Sequence, residues 1–384
     1  MEHRRSAKWR TYVRERNAAS KVERDEKRAF EKRLAKEIGL NRRGFFKYVT
    51  SKLTVRPKTS ALRNENGEMI HDDKEMCNLS NRYFHSLFNQ PTQEEDSPDM
   101  DYLCNENIGD MNVSPEIVKE RLEALNRFKE SGPDNIHPHV LKETSVCVPL
   151  SMIFKESLEV GETPEDWRSA NVTPIFKKGD RNDPANYRPV SLTSQVCKVL
   201  ESIVREKMFE HLKSNNLLSN EQHGFREGRS CLSNLLTTLE DWTNILEDGD
   251  CVDVAYLDFR KAFDLVSHNH LLLKLKKHGI NGQILNWIKA FLENRKQRVV
   301  IRSSKSEELD VLSGVPQGSV LGPILFLIFI NDLPKCTTCP VCLFADDSKI
   351  YCRVPRVNKN DPEQEEACKN LQKDLLKLQK WTTK

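Results

Sequence analysis

The sequence predicts an α+β fold, in which strands and long helices interleave without the regular spacing of repeated βαβ units. Two short apolar runs, at residues 171–176 and 252–258, are typical of buried strands. A third segment, at residues 342–353, has the pattern of two strands joined by a turn that contains carboxylates. Four long stretches of helical periodicity complete the pattern, at residues 195–212, 230–246, 270–292 and 319–331.

In the N-terminal third of the chain, the sequence predicts fewer regular elements. In chain order they are a charged helix over residues 8–49, a turn at 63–67, a short helix over 76–88 and a linker or surface loop over 89–114. The loop is predicted because this segment is rich in Pro, Asp and Asn and has no periodicity. Ser114 and Pro115 then predict the start of a helix, with Ser as the N-cap and Pro in the first turn.

Composition excludes several classes of protein. The longest apolar stretch, near residues 320–330, is too short and too close to Pro and Gly to cross a bilayer. The first ten residues, MEHRRSAKWR, lack the apolar segment of a secretory signal. Eleven cysteines are scattered along the chain, which favours reduced thiols over a disulfide framework. We therefore expect an intracellular protein, in the nucleus, the cytoplasm or both.

Charge divides the 384 residues into three parts, although the net charge is only +3. Residues 1–60 carry 19 basic and 7 acidic side chains, a net charge of +12. Residues 61–130 carry 7 basic and 16 acidic side chains, a net charge of −9, and residues 131–384 are balanced. We predict a basic helical segment, an acidic linker with an N-terminal extension, and a principal domain over these ranges. The basic segment is either a nucleic-acid arm or a solvated helix.

Three aspartates stand out because they follow apolar strands. Asp258 ends the run VAYLD, and Asp346 and Asp347 occupy the turn of FADDSKIY. Acidic residues beside apolar strands are costly unless they are paired or bind a metal, and adjacent carboxylates repel each other. A hard cation such as Mg²⁺ would satisfy this group. A single pair of adjacent aspartates, taken alone, more often forms an ordinary turn.

Seven blocks of sequence carry further information because they occur in one order over most of the chain. They are SGPDNIHPHVLKE (131–143), VTPIFKKGDRNDPANYRPVSLTS (172–194), EQHGFREGRSC (221–231), AYLDFRKAFDLVSH (255–268), HGINGQILNWIKAFLENRKQRV (278–299), LSGVPQGSVLGPILFLIFINDLP (312–334) and FADDSKIY (344–351). Together they resemble the reverse transcriptases of non-LTR retrotransposons, in the jockey-like branch. The resemblance implies the fingers and palm of a right-hand polymerase over residues 131–384, with a ferredoxin-like palm sheet.

The resemblance also implies the catalytic carboxylates and their metal ions. Asp258, Asp346 and Asp347 correspond to the family's catalytic residues, which hold two Mg²⁺ ions, and Mn²⁺ can substitute for these. The main-chain carbonyl of Phe259 is a further metal ligand by the same analogy. Two such ions suit an in-line displacement in which a primer 3′-hydroxyl attacks and pyrophosphate leaves.

Five more residues correspond to the family's nucleotide-binding positions. Lys177 and Arg188 match the cations that bind the triphosphate. Lys178 is adjacent to Lys177 and is the alternative for that position. Phe263 matches the aromatic residue that blocks a nucleotide 2′-hydroxyl. Gln317 and Gly318 match residues beside the incoming nucleotide and the template.

Other candidates have simpler explanations. Asp264 is predicted to cap or brace the following helix rather than to bind metal, and Ser319 is predicted to cap the helix after it. Cys336, Cys339 and Cys342 suggest a zinc site, but no further group of His or Cys ligands follows at the usual spacing.

The implied function is RNA-directed DNA synthesis, with an RNA template, a DNA primer or target and deoxynucleoside triphosphates as partners and no membrane. Compared with full-length members, we expect the chain to lack an endonuclease domain, a thumb and the next palm strand. Two alternatives remain open: a remnant that binds nucleic acid without catalysis, and an RNA-dependent RNA polymerase. The second is disfavoured by Phe263 and by FADD in place of a GDD-type turn.

Overall fold

The computed structural model describes residues 7–36, 61–89, 103–104, 106–143, 145–356 and 362–382. The chain separates into two compact units, residues 1–60 and residues 61–384. Helix α1 (Ala7–Lys36) belongs to the first unit and carries 11 basic and 5 acidic side chains. The rest of the helix predicted over residues 8–49 lies outside the described residues.

The second unit mixes helices and strands, as an α+β fold requires. Its helices are α2 (Asp73–His85), α3 (Pro115–Glu123), α4 (Pro138–Glu143), α5 (Cys147–Val160), α6 (Glu165–Arg168), α7 (Gln195–Ser214), α8 (Cys231–Glu247), α9 (His268–Lys277), α10 (Gly282–Leu292), α11 (Gly322–Ile330) and α12 (Pro362–Thr382). Its strands are β1 (Leu62–Arg63), β2 (Met69–Ile70), β3 (Ser169–Phe176), β4 (Tyr187–Leu192), β5 (Cys251–Leu257), β6 (Lys296–Ile301), β7 (Ser304–Lys305), β8 (Leu309–Asp310), β9 (Val341–Phe344) and β10 (Asp347–Val354). Short 3₁₀ turns lie at Pro184–Asn186 and Leu333–Cys336.

Two sheets support the residues that the sequence singled out. The first has the order β5–β10–β9 with antiparallel neighbours, and it contains the predicted carboxylate hairpin. The second has the order β4–β3–β6–β7, with β8 also paired to β6. In it β3 and β4 form an antiparallel hairpin, while β3 runs parallel to β6. The strands predicted near residues 171–176, 252–258 and 342–353 are thereby confirmed.

Helix α11 lies in the middle of the larger core. Its sequence GPILFLIFI is apolar on all sides, and such a helix is stable in a globular protein only when it is surrounded. Ile324, Leu325 and Ile328 are fully buried. A smaller core joins α2 to the second sheet through Met76, Phe84 and other buried side chains. Among the described residues, no helix is both long enough and apolar enough to cross a membrane.

The single helix predicted over residues 270–292 is wrong, because two helices, α9 and α10, occupy this range. Gly279 separates them with a φ of +75°, a left-handed conformation that ends a helix and that other residues adopt at a cost. A Cβ atom at this position would also overlap the carbonyl of Glu106. The apolar periodicity continues across the break, so periodicity alone did not reveal it.

Two other boundaries differ from the sequence prediction. The segment predicted as a surface loop over residues 89–114 is buried in part, since Ile108 and Val113 are 5% and 0% exposed. The helix predicted from residue 319 begins at Gly322, whose amide donates to Ser319 Oγ at 2.9 Å. Ser319 therefore satisfies one amide at the start of α11, but the N-cap itself is Leu321, so the predicted capping is confirmed only in part. Ser114 is the N-cap of α3, also as predicted.

Candidate active site

The three predicted carboxylates meet at one end of the first sheet. Strand β5 pairs with β10 so that Leu257 lies opposite Ser348. One more residue in this antiparallel register puts Asp258 opposite Asp347. Strands β9 and β10 connect through Ala345 and Asp346. The end of β5 and the hairpin turn therefore bring together residues that are almost ninety positions apart in the sequence.

The pKa of Asp346 reflects this arrangement. Partial burial raises the pKa, and the neighbouring carboxylates of Asp347 and Asp258 raise it further, whereas Arg188 acts in the opposite direction. Oxygen donors of this kind suit Mg²⁺ or Mn²⁺. Within the described ranges, no three His, Cys, Asp or Glu side chains form a ready-made metal cluster. The carboxylate oxygens thus fit the predicted ions, while the coordination of a metal by all of the predicted ligands stays a prediction.

The predicted triphosphate cations lie on the β3–β4 hairpin. Arg188 pairs with Ile175 across the hairpin, and the Lys177 amide donates to the Asn186 carbonyl at 2.8 Å. The side chains of both cations are exposed. Across the residues that the structure describes, neither cationic side chain forms a hydrogen bond or an ion pair within the protein.

Lys261, which the sequence analysis missed, lies within electrostatic range of this hairpin and of the Asp264 carboxylate. Burial lowers its pKa, and the nearby cations Lys177, Arg260 and Arg188 lower it further. Because Arg188 also acts on Asp346, it lies within electrostatic reach of both the positive cluster and the carboxylate turn. The arrangement therefore places positive and negative charge side by side, as a metal-bound triphosphate would require.

Phe263 is held by two other aromatic rings. It stacks on Phe326 with ring centroids 4.4 Å apart and an interplanar angle of 17°. It meets Phe225 edge to face at 6.4 Å. Its carbonyl accepts a hydrogen bond from the Val315 amide at 2.8 Å. The ring is half-buried and fixed, which a steric role requires, although its contact with a sugar stays a prediction.

Gln317 and Gly318 lie against the strand that carries Arg188. The Ser191 amide of β4 donates to the Gln317 carbonyl at 2.8 Å. Gly318 has a φ of +122°, and a Cβ atom there would overlap the Ser191 carbonyl. Glycine is therefore required for the backbone to approach β4 this closely. This loop therefore joins β4 to the segment that follows β5.

Asp264 braces this loop and does not cap helix α9, whose N-cap is Ser267. The carboxylate of Asp264 accepts a hydrogen bond from Gln317 Nε2 at 3.1 Å, and its carbonyl accepts one from Ser313 Oγ at 2.8 Å. Burial raises the pKa of Asp264 to about 6, although Lys261 and the Gln317 bond lower it. The predicted capping of the helix is thus wrong, while a structural role is supported.

Glu201 on α7 is another residue that the sequence analysis missed. It is fully buried and accepts hydrogen bonds from the amides of Val320 and Leu321, at 2.6 and 3.0 Å. These amides follow Gln317 and Gly318 closely in the chain, so Glu201 holds the end of that loop. A glutamate among apolar residues in KVLESIV was a signal for such a role.

A cavity of about 1120 Å³ opens beside Asp258 and Phe259. Apolar side chains of α12, including Leu378 and Trp381, form part of its wall. The cavity is slightly larger than the range of about 300–1,000 Å³ that is usual for small-molecule sites.

The cysteines that suggested zinc have separate partners. Cys342 Sγ accepts a hydrogen bond from Asn234 Nδ2 at 3.0 Å, and Cys336 Sγ donates to the Asp332 carbonyl at 3.6 Å. The amide of Cys339 donates to Asp374 at 2.8 Å. Cys342 thus links β9 to α8, the Cys339 amide contacts α12, and Cys336 bonds within its own 3₁₀ turn.

Comparison with known proteins gives the family. The Reverse transcriptase (RNA-dependent DNA polymerase) family profile matches residues 175–384, which is more than half of the chain. This range includes every residue singled out above for catalysis or nucleotide binding.

Named relatives agree with this match. The chain is 29% identical over 343 residues to the probable RNA-directed DNA polymerase from transposon BS of Drosophila melanogaster, which covers 83% of the chain and 36% of the relative. It is 30% identical over 280 residues to the RNA-directed DNA polymerase from mobile element jockey of the same species, with 70% and 30% covered. A similar protein from transposon X-element is 30% identical over 232 residues, with 59% and 25% covered. The chain thus spans about a third of the length of these relatives, or less.

Proposed function

Because the chain belongs to the reverse transcriptase family, we propose that it extends a DNA 3′ end on an RNA template, as part of a non-LTR retrotransposon protein. Its substrates in this proposal are an RNA template, a DNA primer or target and deoxynucleoside triphosphates. The observation that carries the proposal is the convergence of Asp258, Asp346 and Asp347 beside the cation Arg188. Carboxylates beside a cation suit a nucleotide whose phosphates bind both a divalent metal ion and a positively charged side chain.

The carboxylate side would hold the metal ions. Asp258, Asp346 and Asp347, with the carbonyl of Phe259, would bind two Mg²⁺ or Mn²⁺ ions. When bound, such ions lower the pKa of an attacking hydroxyl and stabilise the charge of the leaving pyrophosphate. Burial, and then repulsion by Asp347 and Asp258, raises the pKa of Asp346, which supports this assignment because a bound cation would favour the charged carboxylate.

The cationic side would bind the triphosphate. Arg188 presents a planar fork of donors, which suits two phosphate oxygens, and Lys177 presents a point charge. Gln317 and Gly318 would line the nucleotide and template side of the same site. The Phe263 ring, fixed between Phe326 and Phe225, would exclude a ribose 2′-hydroxyl.

In this proposal the sheet β5–β10–β9 is the palm, and the β3–β4 hairpin belongs to the fingers. Residues 131–384 form the polymerase region, and residues 61–130 form an N-terminal extension. We assign the basic segment, residues 1–60, to RNA binding, on the basis of its net charge of +12. The protein would act inside the cell, where its nucleic-acid substrates are.

Deleting residues 1–60 tests the role of the basic segment. The affinity for single-stranded RNA should fall, and the slope of log K against log salt should flatten by about 0.7 for each phosphate that the segment neutralises in the full chain. Filter binding at several salt concentrations measures this slope. A slope equal to that of the full chain would show that the segment does not bind RNA and would favour a solvated helix.

The test of the proposed function is single-nucleotide addition at high protein concentration. A DNA primer on an RNA template is offered deoxynucleotides or ribonucleotides with Mg²⁺, and Asp258→Asn is the inactive control. Addition of deoxynucleotides by the wild type alone supports the proposal. Template binding without addition would favour the non-catalytic remnant, and preferential addition of ribonucleotides would favour an RNA polymerase.

A further inference from the structure

The loop of residues 221–225 lies directly against the strand that leads into the carboxylate turn. The Leu343 amide of β9 donates to the Glu221 carbonyl at 2.9 Å, and the His223 amide donates to the Leu343 carbonyl at 2.9 Å. These two bonds form a parallel bridge between Gln222 and Leu343. The loop, which connects α7 to α8, thus extends the first sheet by one short backbone pairing.

The Gln222 side chain continues this contact into the turn itself. It is 3% exposed, and its amide group bonds both polar groups of the Ala345 backbone. Gln222 Oε1 accepts from the Ala345 amide at 2.9 Å and from the Gly224 amide at 2.7 Å. Gln222 Nε2 donates to the Ala345 carbonyl at 3.2 Å. One side chain therefore bonds both the amide and the carbonyl of Ala345, as the backbone of a neighbouring strand would do, immediately before Asp346.

Ala345 needs such support because of its conformation. Its φ is +58°, in the left-handed region, where the Cβ atom of an L-residue crowds the backbone. An alanine at an unsupported turn would relax out of this region. Relaxation would rotate the following peptide and redirect the side chain of Asp346.

Two further contacts join the same loop to the site. Gly224 packs so closely on Ala345 that a Cβ atom would overlap the Ala345 amide nitrogen. Phe225, itself left-handed with a φ of +54°, presents its ring edge to Phe263. The loop therefore touches both the carboxylate turn and the ring proposed to select the sugar.

We propose that Gln222 is a positioning residue, whose side-chain amide fixes the Ala345 peptide and thereby the direction of the Asp346 carboxylate. The proposal rests on the proposed function for its consequence in catalysis, but its structural content is independent of activity. Gln222 acts through the backbone of the turn and is not itself a catalytic residue. A displacement of about 1 Å at a reacting group can cost about a hundredfold in rate.

Gln222→Met tests this role, because methionine has a similar volume and no hydrogen bonds of this kind. Gln195→Met is the matched control. Gln195 is also 3% exposed and also uses its amide in a buried bond, from Nε2 to the Glu130 carbonyl at 2.8 Å. It lies at the start of α7, and its side chain bonds Glu130 rather than the turn. Thermal unfolding of both variants measures the loss of stability that they share.

The first readout is amide hydrogen exchange, which needs no catalytic activity. In the wild type, the Ala345 amide should exchange at least about tenfold more slowly than an unprotected amide. In Gln222→Met the exchange of residues 343–347 should accelerate by about tenfold or more, whereas Gln195→Met should leave it unchanged. An unprotected Ala345 amide in the wild type would overturn the proposal, even if the variant failed to fold.

The second readout is single-nucleotide addition. Gln222→Met should lower kcat by about a hundredfold and raise the Mg²⁺ concentration for half-maximal rate, with little change in the affinity for primer and template. A purely structural role would give equal losses in the two variants, in proportion to the folded fraction, and would overturn the proposal. If the wild type adds no nucleotide, the proposed function fails, while the exchange experiment still decides the role of Gln222.

Discussion

The two sides of the candidate site are built in opposite ways. On the carboxylate side, Asp346 lies in a turn that two strands and the Gln222 side chain hold through backbone hydrogen bonds. On the cationic side, Lys177 and Arg188 extend from a hairpin, and within the described part of the chain their side chains bond no other residue. The carboxylate side is thus fixed before a ligand arrives, and the cationic side is free to bind one.

The physical reason for this difference is the sign and density of charge. Three carboxylates at one end of a sheet repel one another, so the backbone must hold them where a metal ion would be bound. Cations on long stems need no such support, because their task is to follow the phosphates of a substrate.

Asp346→Asn removes a proposed metal ligand from the fixed side. Primer extension should fall by at least about a thousandfold, because the stabilisation of charge in the transition state is lost. Binding of primer and template should remain. Asp253→Asn, at an exposed position on β5, is the control and should keep near wild-type activity. Extension by Asp346→Asn at a comparable rate would refute the metal assignment.

Asp264→Asn tests the contact between Asp264 and the Gln317 loop through the pH dependence of stability. The folded state raises the pKa of Asp264 to about 6 from an ordinary 3.8, so it binds the proton more tightly than the unfolded state. This carboxylate therefore lowers stability progressively as pH rises from about 4 to 6, by about 3 kcal/mol in all, and the loss persists above pH 6.

Denaturant unfolding at pH 4 and pH 7 measures this effect. Asparagine keeps an acceptor for Gln317 and has no such titration, so the variant should gain about 3 kcal/mol relative to the wild type between these two pH values. Asp253→Asn is again the control. A difference that does not change with pH would show that Asp264 is not held as the structure indicates.

Arg188→Ala removes the cation that reaches both sides. The KM for deoxynucleotides should rise about tenfold to a hundredfold, because charge-assisted bonds to phosphate are lost. Arg181→Ala is the matched control in the same hairpin, since the Arg181 guanidinium lies over the Phe176 ring. Steady-state addition of one nucleotide measures both. Equal effects in the two variants would show that Arg188 acts only as a general surface charge and not as a specific phosphate ligand.

Phe263→Val tests the steric role proposed for the Phe263 ring. The preference for deoxynucleotides over ribonucleotides should fall by about tenfold, because the space for a 2′-hydroxyl opens. Phe326→Leu removes the stacked neighbour but keeps the Phe263 ring, so it controls for looser packing. Competition between the two nucleotides in single additions gives the ratio. If both variants change the ratio equally, packing rather than the ring itself is responsible.

Much of the fixed side could be predicted from the sequence. The alternation of FADDSKIY indicated a hairpin with carboxylates in its turn, and β9 and β10 confirm the hairpin. The family resemblance drawn from seven ordered blocks is also confirmed. Local pattern sufficed here, because a strand and a tight turn are determined largely by their own residues.

The rest depended on contacts between distant residues. Gln222 lies in a quoted block, but nothing in its neighbours indicates that its amide bonds Ala345, 123 positions away. The break at Gly279 was missed because apolar spacing continues through it. The roles of Lys261 and Asp264 follow from burial, which tertiary packing decides. The sequence therefore revealed the residues of the site more readily than the residues that support them.

Binding of a non-hydrolysable deoxynucleoside triphosphate analogue at a series of Mg²⁺ concentrations tests both sides of the site at once. The two sides are expected to bind one metal–nucleotide complex. Asp346→Asn and Arg188→Ala should each weaken the Mg²⁺-dependent affinity by about tenfold or more, and their effects should not add in the double variant. Affinity that is independent of Mg²⁺ and unchanged in both variants would contradict the account.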